Sequence, residues 1–218
     1  MTAGIKRSCS ANEVFHMARK ACTGCGLAPD RAEDLATAVA MLQCSGYAGL
    51  SALYSLLVRY QDRAAEDRLA LSPAADRLVV ELLRPEAEGV AMLDWLVAGA
   101  GMAEAEITEL SDPLVMAGLL VIYAHSYGGC FELLGPGQTS LFSVAGPQDI
   151  ADLPSLKDKR LRFRREADKT DRQPFSWQHS QTELTVWQAL ETLAHQTYVP
   201  ASEASRQTGA GAGLVDND

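Results

Sequence analysis

The chain has 218 residues, 47% of them apolar and 22% charged, so it can bury a real core without disulfide or metal staples. A formal net charge of −9 excludes general nucleic-acid binding, which needs a net basic face to neutralise phosphates. Five cysteines, an odd number, fit reduced thiols better than a disulfide framework.

The first residues, MTAGIKRSCS, contain no apolar run of signal-peptide length, and the expected location is the cytoplasm. Ser10 and Glu13 have the S-x-x-E spacing of a capping box. Val14, Met17, Ala18 and Ala21 then recur at helical intervals until Gly24 and Gly26. A second helix is expected from Pro29, with Leu35, Val39 and Leu42 facing the core and Gly46 as its stop. A third carries Leu50, Leu53, Leu57 and Tyr60 on one side. These three form an N-terminal helical layer.

RLVVELL (Arg77 to Leu83) and VAMLDWLV (Val90 to Val97) are short apolar runs, both read as strands. Asp112 as N-cap and Pro113 in the first turn open a helix that is apolar all round and that Gly128 stops. It is shorter than the roughly 20 residues of a membrane span, so it reads as a central buried helix and no membrane is expected as a partner. CFELL and TSLFSVAG flank Gly135-Pro136-Gly137 as a hairpin. RLRFRRE alternates basic and apolar residues as a half-exposed strand does, and its charges suit a sheet edge. Ser180 and Glu183 repeat the capping-box spacing before a last helix with Trp187, Leu190 and Ala194 on its stripe, ended by Pro200. The expected fold is α+β: the helical layer and central helix packed on a mainly antiparallel sheet, one domain over residues 1–200.

Chemistry is sparse. Cys22 and Cys25 form a C-x-x-C without the second pair of a zinc ribbon or the preceding strand of a redox motif, and they read as small buried hydrophobes. His16, His125, His179 and His195 have no metal-binding spacing, and no metal site is expected. His195 is a candidate because it stands a few residues before the tail. His125 begins HSYGG, a polar helix end suited to line a cleft. No phosphate loop and no G-x-S-x-G elbow is present.

The tail, residues 201–218, holds the remaining candidates. Ordering Gly209 to Gly213 costs about 1–2 kcal/mol per residue, which only close contact with a folded surface offsets. Gly209, Gly211 and Gly213 would offer unobstructed N–H groups to an anion or a carbonyl. Asp216, Asn217 and Asp218 follow, and Ser202, Glu203, Ser205 and Arg206 precede them, after Tyr198. In an enzyme, Arg206 would bind a carboxylate and Glu203 would move a proton, with Ser202, Ser205 and His195 near.

The order A…G-x-G-x…A-E…A…L…G in the first helices, followed by W-x-x-L-x-x-L-A…T-Y-V-P-A-S-E-x-S-R…G-A-G-A-G-L…D-N-D, resembles over most of the chain a bacterial family known only as a domain of unknown function, its specificity concentrated in Thr197 to Asp218. The resemblance implies an ordered tail and carries no activity, cofactor or substrate. GCGLAPDRAEDLATAVAMLQCSGYAGLSALYSLL also resembles the N-terminal helices of the malate/L-lactate dehydrogenase group that lacks a Rossmann domain. Where that group has Ser-His-Gly, this chain has Gly46 to Ser51, GYAGLS, without the histidine. Three functions follow as expectations. The first is a non-catalytic or accessory subunit whose C-terminal arm packs on its own domain, a second copy or a partner subunit. The second is a small-molecule enzyme built on the tail, with a small anionic ligand. The third is a dehydrogenase-like binding protein.

Overall fold

A computed structural model describes residues 4–62, 71–73, 77–99, 103–134, 140–152, 161–166 and 177–197. The fold is α+β, with eight strands and six α-helices among the described residues. The chain runs β1 (Lys6–Cys9), α1 (Ala11–Gly24), α2 (Pro29–Cys44) and α3 (Gly49–Gln61). It continues through β2 (Leu71–Pro73) and β3 (Arg77–Leu83) to a π-helical turn, Pro85–Gly89, that feeds α4 (Val90–Ala98). Then come β4 (Glu104–Leu110), α5 (Pro113–Tyr127), β5 (Cys130–Leu134), β6 (Ser140–Val144) and a 3-10 turn, Pro147–Asp152. β7 (Leu161–Glu166), β8 (Ser180–Glu183) and α6 (Leu184–His195) complete it.

Six strands form one sheet in the order β2-β3-β4-β7-β5-β6, antiparallel except for the parallel pair β3 and β4. Alternation sorts its two faces. Val80, Ala105, Ile107, Phe163 and Phe131 are buried, and α4 and α5 pack on the sheet. On the other face Arg77 pairs with Glu106 at 3.2 Å, and Arg164 with Glu132 at 3.0 Å and Glu166 at 2.9 Å. Arg162 and Arg164 of the basic run therefore belong to a cross-strand charge ladder. β7 lies between β4 and β5, so the expectation of an edge strand is corrected: its arginines are tolerated inside the sheet because glutamates on both neighbours face them.

α5 is buried along most of its length, with Val115 to Ala124 all inaccessible, and lies between the sheet and α2. Gly118 makes that approach possible: an added Cβ would stand 2.8 Å from Leu42 Cδ1. α1, α2, α3 and α6 form the outer helical layer. The capping box forms as expected, with Ser10 N–H and Oγ both 2.9 Å from Glu13 Oε2.

Three expectations change. Residues 90–97 are helical, because Met92, Leu93 and Leu96 share one buried helix face, a pattern that a short apolar run hides. Asp112 occupies the N-cap position of α5, but its carboxylate receives Arg59 and the Ser111 hydroxyl instead of capping the helix. Ser180 and Glu183 do not form a capping box. They lie in β8, and the Leu184 N–H at the start of α6 donates to Ile5 O at 2.8 Å, so strand pairing satisfies that group. α6 ends at His195, before Pro200. The hairpin turn at Gly135 to Gly137 lies outside the described residues.

Candidate functional site

Among the described residues β1 and β8 pair with each other alone, as a two-stranded ribbon beside the outer helices. Their register sets Lys6 opposite Glu183, Arg7 opposite Thr182, Ser8 opposite Gln181 and Cys9 opposite Ser180. The Leu184-to-Ile5 hydrogen bond fixes the alternation: Thr182 and Ser180 face β1 with their backbone groups, and Gln181 and Glu183 turn theirs away. The Gln181 carbonyl bears this out, accepting Gln43 Nε2 from α2 at 2.8 Å. Among the described residues nothing accepts the N–H groups of Gln181 and Glu183.

That outward edge of β8 forms one wall of a cleft of about 460 Å3. The other wall is the end of α2 and the start of α3, and the sequence explains its shape. Ser45 caps α2, Gly46 takes φ +89°, Gly46 N–H donates to Gln43 O at 3.3 Å and Tyr47 N–H to Leu42 O at 3.0 Å. This is a Schellman stop, which folds the chain back within two residues. Gly49 then allows α3 to start hard against α2, where a Cβ would lie 2.7 Å from Val39 O. Gln43, only 6% exposed, joins the parts: its Oε1 accepts Leu50 N–H of α3 at 3.0 Å while its Nε2 holds β8. Tyr47 OH donates to Pro147 O at 3.0 Å and ties the turn to the 3-10 segment beside β6.

The cleft gathers Lys6, Cys44, Ser51, His179, Ser180 and Glu183. Ser180 Oγ is shielded from solvent and has no hydrogen-bond partner among the described residues. Burial pushes the Cys44 thiol up, and nearby Cys9 adds to the effect, so Cys44 stays protonated at neutral pH. Neither Ser51 nor Ser180 hydrogen-bonds a histidine or carboxylate among the described residues. The groups are suited to hold a polar ligand, and none has the partner that activates a nucleophile.

Of the residues singled out from sequence, His195 is the exposed last residue of α6, and His16 is exposed on α1. His125 is half-buried at the end of α5, away from the cleft, where Arg165 Nη2 donates to Tyr127 O at 2.7 Å and Gly128 O at 3.0 Å. Tyr198, Ser202, Glu203, Ser205, Arg206, Gly209, Gly211, Gly213, Asp216, Asn217 and Asp218 lie outside the described residues. Cys22 is buried within the α1 core, and burial drives its thiol far up. Cys25 is pushed up to about 11 by the same cause. Among the described residues there is no group of three metal-ligating side chains and no helix long and apolar enough to cross a membrane.

Sequence reasoning missed the cleft because its residues come from three separated stretches near 6, 43–51 and 179–183. The Gln-Cys-Ser-Gly-Tyr stop after α2 was the one legible signal. It also missed a buried ion pair: Arg84 Nε donates to Glu88 Oε2 at 2.8 Å and Arg84 Nη2 to Glu88 Oε1 across the π-helical turn. The i, i+4 spacing of Arg84 and Glu88 in an apolar setting was the available clue.

By fold and site this is an α+β domain with a cleft lined by the outward side of β8, where Gln43 holds the Gln181 carbonyl, and by the α2–α3 turn. The model of a family described as a protein of unknown function, DUF3726, matches residues 9–77, which span α1 to α3 and include the α2–α3 wall of the cleft. No curated protein and no solved structure matches the chain.

Proposed function

We propose that this protein is a non-catalytic binding subunit whose cleft receives an extended peptide segment along β8. The observation that carries the reading is the pair of N–H groups of Gln181 and Glu183, directed away from β1 and without an acceptor among the described residues. Strand addition uses such an edge for affinity and flanking side chains for selectivity. Lys6, His179, Ser51 and Glu183 stand where those side chains would select. The protonated Cys44 thiol and a Ser180 hydroxyl without a base beside it among the described residues favour binding over covalent chemistry. The test is amide hydrogen exchange at Gln181 and Glu183, in the chain alone and with excess unstructured decapeptides of mixed sequence. Slow exchange in either condition, lost at Glu183 in Gln181→Pro, is expected. That proline removes an N–H directed away from β1, which an edge position tolerates. Fast exchange in both conditions overturns the reading.

A second reading is favoured by one observation. The GYAGLS segment that resembles the malate/L-lactate dehydrogenase group contributes Gly46, Tyr47, Ala48 and Ser51 to the cleft. On this reading the cleft is a relic that binds a nicotinamide cofactor, and thermal-shift titration with NAD and NADP is expected to raise Tm. No shift with either removes it.

A further inference from the structure

The lining of the cleft shows by which group a ligand is held. On the premise proposed above that the cleft binds a ligand, we infer that it takes that ligand by a carboxylate, anchored between the start of α3 and Lys6. No pairing with the edge of β8 is needed.

α3 opens without a cap. Ala48 at its N-cap position brings no side-chain acceptor. Gly49 N–H turns back to Tyr47 O at 2.9 Å, and Leu50 N–H is taken by Gln43 Oε1 at 3.0 Å. The next donor, Ser51 N–H, has no acceptor among the described residues, and the Ser51 hydroxyl has none either. Ser51 lines the cleft. A 13-residue helix therefore presents an N–H, a hydroxyl and the positive end of its dipole to the cavity, an arrangement that favours an anion.

Two further groups in the same cleft call for a ligand there. Ser180 Oγ is shielded from solvent and has no partner among the described residues, so a ligand oxygen would recover the free energy that burying the hydroxyl costs. Lys6 forms no ion pair among the described residues. The carboxylate of its register partner Glu183 lies instead over Gly4, where an added Cβ would collide with it. Lys6 is thus a cation awaiting a counter-charge.

Charge and size narrow the class. Apart from Lys6, Glu183 and His179, the lining is neutral, with the Cys44 thiol protonated. One negative charge balances Lys6, and a second would meet Glu183. A cleft of about 460 Å3 exceeds what an inorganic anion fills and lies within the range of organic ligands. The ligand is therefore a monocarboxylate, either a small organic acid or the C-terminal end of a peptide, which present the same group.

The test titrates the isotope-labelled chain with two pairs of probes. One pair is N-acetylalanine and its amide. The other is decapeptides without acidic residues, ending in a free carboxylate or amidated. The Ser51 amide resonance is expected to move saturably with the acid of at least one pair and to stay in place with the amides. Lys6→Gln and Ser51→Ala should each weaken acid binding about tenfold, and Lys6→Arg should stay near wild type. Unchanged α2 and α5 amide resonances show that the variants fold. Free-acid peptides that bind tighter than N-acetylalanine by about tenfold or more assign the carboxylate to a chain end, and equal affinities assign it to a small acid. Acid and amide probes that bind equally overturn the inference and leave the peptide reading standing. Acid binding that neither Lys6→Gln nor Ser51→Ala weakens also overturns it. A Ser51 resonance that answers no probe does the same, while slow exchange at Gln181 and Glu183 would still uphold the peptide reading.

Discussion

At the scale of single residues, Arg84 and Glu88 form a buried ion pair. Arg84 is 6% exposed and Glu88 is fully inaccessible. Taking two charges out of water is costly, and the fork of hydrogen bonds between the two side chains offsets much of that cost. The π-helical turn that carries them closes with Gly89 N–H on Arg84 O at 2.9 Å, an i→i+5 bond that brings the two side chains together. Arg84→Met is expected to destabilise the fold by about 3–5 kcal/mol, because it removes the cation paired with a buried carboxylate. Arg84→Met with Glu88→Leu should recover part of the loss, read from urea midpoints. A single variant no less stable than the double would contradict this. The residues of this pair are visible in the sequence, but their burial is not, since the apolar walls around them come from α4 and α5.

At the scale of elements, helix ends departed from local rules at Asp112, taken by Arg59, and at Ser180 and Glu183, and obeyed them where no distant group claimed the capping side chain or backbone. The Ser10 and Glu13 box is the clearest case. Glu13 is held below its ordinary value of 4.5, first by the Ser10 N–H, then by the Ser10 hydroxyl and by Arg7. A lowered carboxylate value means the folded chain binds fewer protons than the unfolded chain between the two values. The stabilisation is therefore present above about 4.5 and lost as pH falls through the folded value. Ser10→Ala is expected to lower Tm by about 2–4 °C at neutral pH. The gap between variant and wild type should narrow in acid, as followed by circular dichroism. The same spacing at Ser180 and Glu183 failed for a definite reason. β1, more than 170 residues earlier in sequence, pairs with that segment and takes the backbone groups that a cap would have used. Residues 90–97 show the converse, a run too short for period to distinguish helix from strand until the π-helical turn delivered it as a helix.

At the scale of the whole molecule, three layers stack: the six-stranded sheet, then α4 and α5, then α1, α2, α3 and α6 with the β1–β8 ribbon at the side. The N-terminal segment and the start of α6 are held together by that ribbon, so the first and last described elements share one site. By itself the sequence determined the α+β class, the three N-terminal helices with glycine stops after the first two, the apolar α5 and the alternation of β7. Each of these depends on periodicity or on groups a few residues apart, and those forces act the same way in any context. Only the tertiary structure decided that β7 is central, that Ser180 belongs to a strand, and that Gln43, the α2–α3 turn and the outward edge of β8 enclose a cleft. Those outcomes depend on which distant backbone arrives to claim a hydrogen bond, and no local pattern encodes the arrival.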